Sequence, residues 1–191
     1  MKAGKRPTLF LASRSARRKE ILRKLKIPFR VIRSSYHERM FAGLSPRELT
    51  IRHATGKVRK AVAPKRARWI LGADTVVAYQ KHILGKPKTK KQAIQMLAML
   101  SGRAHFVYTG LAVWDRTTGK IRTAFAKTKV TFKCLDREAI RQYLEAVDPF
   151  DKAGGYAIQE GPKIVAGVDG SYTNVMGLPV ELLKKMLRAM A

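Results

Sequence analysis

Short apolar runs alternate along this chain with stretches where apolar residues recur every three or four positions, the rhythms of strands and helices taken in turn. Thr8–Ala12 is the first apolar run and predicts a short strand ending in the loop Ser13-Arg14-Ser15. From Ala16 to Leu25, Ile21, Leu22 and Leu25 share one helical face, with Ser15 placed as N-cap and Glu20 paired to Lys24 on the other. Phe29–Arg33 alternates as a strand does, and Pro46 opens a basic helix running to about Val62. Trp69–Tyr79 reads as a long buried strand that turns at Gln80-Lys81-His82 into a short return, Ile83-Leu84. Thr89 then caps a helix that turns Ala93, Met96, Leu97 and Leu100 inward and stops at Gly102.

Two long strands are expected over His105–Trp114 and Arg122–Phe132, joined by a turn at Asp115–Lys120. Asp136 caps a further helix through Glu145, strands are expected near 156–159 and 163–168, and Pro179 begins the last helix. Alternating strands and helices with hairpins between them predict an α/β fold, one mixed sheet covered by helices. No internal repeat or Gly/Ser linker marks a boundary, so residues 1–191 read as one domain. No segment has the apolar length of a membrane span, and Thr8–Ala12 is too short for a signal-peptide core. The lone Cys134 has no internal disulfide partner, so the reducing cytoplasm is the expected compartment.

Charge changes the picture. Forty Lys and Arg against 13 Asp and Glu give a formal +27, and residues 1–70 hold 21 of the basic groups against 3 acidic ones. Such a field draws polyanions, nucleotides and nucleic acids alike, but carries no information about fold. An equally simple reading is a solvated basic surface.

Three segments and three single residues carry candidate chemistry. In Ser13-Arg14-Ser15-Ala16-Arg17-Arg18, two arginines occupy a first helical turn, where the macrodipole disfavours cations. Backbone N–H groups, two hydroxyls and two guanidiniums after a strand make an anion site, against the plainer reading of a solvent-facing basic turn. In Leu71-Gly72-Ala73-Asp74-Thr75, a carboxylate interrupts an apolar strand, which is costly unless it is paired, metal-bound or protonated. Asp74 is therefore the leading metal ligand or general base, with a strand-end cap as the alternative. Lys86 sits on a tight turn just after that strand returns, and Lys57 is one lysine of a basic helix. Glu38 is a scarce acid in a basic half, readable as a metal ligand or as a surface loop acid. In Asp151-Lys152-Ala153-Gly154-Gly155-Tyr156-Ala157-Ile158-Gln159, a flexible turn leads to an amide expected inside a strand, able to read a base edge or simply to face solvent. No Walker A loop, GxGxxG, zinc spacing or GxSxG elbow is present.

Taken in order, Leu11-Ala12-Ser13-Arg14-Ser15-Ala16-Arg17-Arg18, Gly72-Ala73-Asp74-Thr75, Leu84-Gly85-Lys86-Pro87, Leu100-Ser101-Gly102, Asp151-Lys152-Ala153-Gly154 and Gly177-Leu178-Pro179 resemble the Maf family of septum formation inhibitor-like nucleoside triphosphate pyrophosphatases. The resemblance implies a three-layer α/β fold like that of inosine triphosphatases, with an elongated cleft between two lobes. It also implies a house-cleaning hydrolase that cuts between the α- and β-phosphates with a divalent cation, Mg2+ or Mn2+. Asp74 matches the proton acceptor and Glu38 falls near a metal-associated glutamate. Ser13, Ser15, Arg18, Lys57 and Lys86 fall in the triphosphate-binding set. Arg17, Thr75 and Gln159 match the positions tied to base preference and resemble the subgroup acting on dTTP and UTP.

Ala16 replaces the usual Pro at the helix start, and Gly155, Ala157 and Glu160 depart from the commonest form of their motif. A homodimer and weak, sequence-independent nucleic-acid binding are expected beside the nucleotide substrate. The rival reading is a non-catalytic nucleic-acid-binding or cell-division regulatory protein acting through its basic surface; an intact Asp74 argues against it.

Overall fold

Residues 8–39 and 41–190 are described by a computed structural model of the protein. The first apolar run forms strand β1 (Leu9–Leu11), fully buried. Helix α1 (Ala16–Lys24) follows, capped by the Ser15 side chain and lacking any acid in its first turn. Strands β2 (Phe29–Val31) and β3 (Arg33–Ser34) replace the single expected strand, the break falling at Ile32, whose N–H donates to Leu11 O. Helix α2 (Pro46–Arg59) begins with a complete capping box between Ser45 and Glu48 and with Pro46 in its first turn. It ends earlier than the expected Val62, because Ala61–Val62 instead form β4, antiparallel to β3.

Then come β5 (Trp69–Tyr79), β6 (His82–Leu84), α3 (Lys90–Leu100), β7 (Ala104–Asp115), β8 (Ile121–Phe132) and α4 (Arg137–Ala146). Thr89 and Asp136 cap α3 and α4 as their sequence positions predict. No strand forms near 156–159. The positive-φ glycines Gly154 and Gly155 bend a 3-10 turn at Ala153–Gly155, and Gln159 sits in a turn rather than a strand. Strand β9 (Val165–Asp169) starts two residues later than expected, and a short helix α5 (Tyr172–Val175), not anticipated, precedes α6 (Val180–Arg188).

The large sheet has the order β2-β1-β5-β7-β8-β9, with β6 paired to β5. It is mixed: β1 is parallel to both β2 and β5, while β5–β6 and β8–β9 are antiparallel. Together with the helices this is the expected mixed α/β architecture. Two compact units divide the chain. The first takes the described residues of Met1–Asp74, Gly110–Phe125 and Val180–Ala191, and the second takes Thr75–Thr109 and Ala126–Pro179.

The first unit packs Phe10, Ala12, Ala54, Val58, Ile70 and Ala112 together, so α2 lies on its strands. Two strand glycines meet α2 backbone to backbone. A Cβ at Gly72 would stand 2.4 Å from Ala54 O, and one at Gly110 2.5 Å from the Thr50 carbonyl carbon. The second unit has its own core, in which α3 and α4 bury Leu97, Leu100, Ile140 and Tyr143 against Val77, Val107, Val130 and Phe132. Among the described residues no helix is long and apolar enough to cross a membrane. Cys134 is an exposed free thiol.

Candidate active site

Asp74 lies on β5 with 7% of its side chain exposed, two residues after Gly72, so that by the pleat both face α2. The close approach that Gly72 permits brings Lys57 of α2 onto it. Lys57 Nζ stands 2.7 Å from Asp74 Oδ1, 3.0 Å from Ala73 O and 2.7 Å from Glu38 Oε1. The three donors of the ammonium thus meet three acceptors, which is what lets a lysine be buried. Glu38, one of the scarce acids of the basic half, is partly exposed at 39% and reaches this cluster from its loop.

Arg18 is buried as well, against the reading of a solvent-facing basic turn. Its Nη1 donates to Ser13 Oγ at 3.0 Å, while Ser15 Oγ accepts from its backbone N–H as the helix cap. Burial pulls the guanidinium below its ordinary pKa, the Asp74 and Glu38 carboxylates act in the opposite sense, and Arg17 adds to the depression. The charge of Arg18 is therefore felt at the carboxylate pair. Arg17 is half-buried beside it.

Three residues beside the cluster were not singled out in the sequence. Tyr36 Oη lies 3.0 Å from His53 Nδ1, and its ring covers Gly56, where a Cβ would come within 2.2 Å of the ring edge. Ser34 Oγ donates to Lys57 O. Burial lowers the His53 pKa, with Asp74 and Glu38 opposing, and raises that of Tyr36. The available signal was Gly56 itself. A glycine inside a helix costs about 1 kcal/mol relative to alanine, which points to a close neighbour.

The other candidates belong to the second unit, each with its own neighbours. Thr75 Oγ1 is 3.0 Å from Thr109 Oγ1, and Thr109 donates to the Asn174 carbonyl at 3.1 Å. A carbonyl only accepts, so the Thr109 proton is committed there and Thr75 donates in the first contact. Lys86 is exposed in the loop after β6, and the adjacent Gly85 O accepts from Gly154 N–H at 2.9 Å. Gln159 Nε2 donates to Glu160 Oε1 at 3.1 Å, while Gln159 Oε1 is buried with no partner among the described residues. An unmet buried acceptor costs about 1–3 kcal/mol.

A divalent cation is hard and takes oxygen ligands, and Mg2+ is commonly held by one or two carboxylates together with substrate phosphates. Glu38 Oε1 and Asp74 Oδ1 already converge on one cationic atom, at 2.7 Å each. Among the described residues no group of three or more His, Cys, Asp or Glu forms a metal-holding set. The donor chemistry of the pair fits such an ion, provided phosphate and water oxygens complete its shell.

The family model for the Maf-like protein matches residues 8–190. A protein of Pelotomaculum thermopropionicum named dTTP/UTP pyrophosphatase is 39% identical over 181 residues, covering 94% of this chain and 95% of the relative. A protein of the same name from Geobacter sp. is 44% identical over 177 residues, 92% of each chain. A third, from Bacillus cereus, is 39% identical over 94% of each chain. The match runs from β1 through α6 and takes in every candidate residue, so the chain belongs to the Maf-like protein family.

Proposed function

We propose that this chain hydrolyses a nucleoside triphosphate of the dTTP/UTP type to the nucleoside monophosphate and pyrophosphate. The observation that carries the reading is the buried Asp74–Lys57 pair, joined by Glu38 and lying beside Arg18, in a chain 39–44% identical to dTTP/UTP pyrophosphatases over nearly its whole length. In this reaction water attacks the α-phosphorus and the bond from that phosphorus to the α–β bridging oxygen breaks. Pyrophosphate leaves.

Such transfers need positioning and neutralisation of charge more than covalent catalysis. Asp74 takes the proton of the attacking water. Lys57 and Arg18 lie where charge is poorly screened, and there they stabilise the developing negative charge. Ser13 and Ser15 shape the loop that presents Arg18, and Lys86 adds a cation for the leaving phosphates. Glu38 and Asp74 would hold Mg2+ or Mn2+, which supplies Lewis-acid polarisation of the phosphoryl oxygens. Arg17, Thr75 and Gln159 set base preference, Thr75 through a hydroxyl whose proton is taken up by Thr109. The cytoplasm, with its nucleotide pool and reducing conditions, is the compartment in which an exposed free Cys134 is stable.

The test is a panel of nucleoside triphosphates with Mg2+, read by a method that resolves pyrophosphate from phosphate. dTTP and UTP should lead, ATP should be poor, and EDTA should abolish turnover. Release of single phosphate with a diphosphate product overturns the proposal.

A further inference from the structure

We infer that Glu160 is a positioning residue that fixes which end of the Gln159 amide meets the base, and that this fixed order separates uracil and thymine from cytosine. The inference rests on the base-reading role proposed above for Gln159.

A carboxamide has a donor end and an acceptor end of nearly equal size, and half a turn about its last torsion exchanges them. Uracil and thymine present the N3–H donor beside the O4 acceptor. Cytosine presents the N3 acceptor beside the N4–H2 donor. An amide at liberty to turn therefore makes the same two hydrogen bonds to either pyrimidine and discriminates nothing. Discrimination requires that the turn be blocked.

Glu160 supplies the block. Its Oε1 accepts from Gln159 Nε2 at 3.1 Å, and a carboxylate cannot donate, so the reversed amide would set oxygen against oxygen. The carboxylate is itself anchored, because Glu160 Oε2 lies 3.0 Å from Nζ of the buried Lys152. The remaining donors of that ammonium meet Asp148 O at 2.8 Å and Asp151 Oδ1 at 2.7 Å. Tyr143 Oη holds the preceding backbone from both sides, accepting from Ala157 N–H at 2.9 Å and donating to Ala157 O at 3.1 Å. One N–H of Gln159 Nε2 is spent on Glu160. The second N–H and the partnerless Oε1 then form a donor and acceptor in one order, N–H for O4 and C=O for N3–H. That order suits uracil and thymine and opposes cytosine at both atoms.

The experiment compares kcat/KM for UTP and CTP, and the affinities of UMP and CMP, in the wild type, Glu160→Gln and Gln159→Ala. Glu160→Gln keeps the size of the side chain but accepts or donates, so the Gln159 amide can turn. The UTP-over-CTP preference should fall about tenfold or more, the scale of a bidentate base contact. The fall should come from a gain for CTP and tighter CMP binding, which a merely structural lesion would not give. Preference kept in Glu160→Gln but lost in Gln159→Ala overturns this inference alone. Preference kept in both overturns the base-reading role of Gln159 itself. Should Glu160→Gln fail to fold, the Gln159 side-chain NH2 signals of the intact wild-type protein decide. A shifted, slowly exchanging pair supports the inference, and exchange at the rate of a solvent-exposed amide overturns it.

Discussion

Lys57 and Asp74 stand 2.7 Å apart across 17 residues of sequence, with side chains only 10% and 7% exposed. Each charge is tolerated in the interior because of the other. The pair is not symmetric, however, since Lys57 also reaches Glu38 and Ala73 O.

That asymmetry separates two variants. In Asp74→Asn the ammonium keeps Glu38 as counter-charge, so the protein should fold, with turnover down by about 10² or more for loss of a positioned base. Lys57→Met removes the ammonium that both carboxylates contact at 2.7 Å, and losing one partner of a buried pair costs about 3–5 kcal/mol. Denaturant unfolding and turnover, measured on both, should rank Lys57→Met as the less stable. Near-wild-type turnover in Asp74→Asn would show that another group is the base.

Gly72→Ala tests whether the approach of α2 to β5 sets the site. The added Cβ would lie 2.4 Å from Ala54 O, so α2 must retreat, carrying Lys57 with it. Overpacking of this kind costs about 1–3 kcal/mol, and activity should fall by more than the loss of folded protein accounts for. Gly167→Ala, with nothing within 4 Å of its added Cβ, is the control and should leave both unchanged. Full activity in Gly72→Ala would mean that the helix position is not critical.

Acid stability should depend on His105. Burial lowers its pKa to about 4, and its Nε2 lies 2.8 Å from Tyr156 Oη within an aromatic group that includes Phe132. An unfolded histidine takes up its proton near pH 6.5, and the folded one only near pH 4, so between these values acid favours the unfolded chain. The contribution is fully present above pH 6.5 and falls away toward pH 4, by about 3 kcal/mol in all. Urea midpoints measured from pH 7 to pH 4 should drop steeply in the wild type and less steeply in His105→Gln. Equal slopes would assign the effect to other groups.

The surplus charge should act apart from catalysis. A triphosphate carries about four negative charges, so four or five basic groups suffice for it and most of the +27 is left over. We expect weak RNA and DNA binding without sequence preference, falling steeply between about 50 and 200 mM salt as counterion release predicts. Turnover at saturating substrate should respond far less, since Lys57 and Arg18 are buried and poorly screened. Salt-insensitive, sequence-selective binding without turnover would favour a nucleic-acid-binding protein instead.

The fold was largely legible in the chain because its signals are local. Ser15, Ser45, Thr89 and Asp136 cap their helices through hydrogen bonds spanning three residues, and the apolar run of β5 announces burial, met at every position but Thr75 and Tyr79. The oddity of Asp74 within that run was legible too, because burying a charge is costly whatever surrounds it. What surrounds it was not. Which of 40 basic groups would pair with it depended on two glycines, Gly72 and Gly110, that let α2 touch the sheet at backbone distance, and this brought Lys57 to Asp74. Glu38 could be read either as a surface acid or as a ligand until its loop closed on the same ammonium. Gln159 reads as a strand residue because turn and strand share its neighbours' composition, and the positive φ of Gly154 and Gly155 decides for the turn. The direction of its amide, set by Glu160 and through it by Lys152, exists only once the turn is folded. Caps and strand periods are properties of neighbours in sequence. The pairing of buried charges is a property of neighbours in space, and only the folded chain determines it.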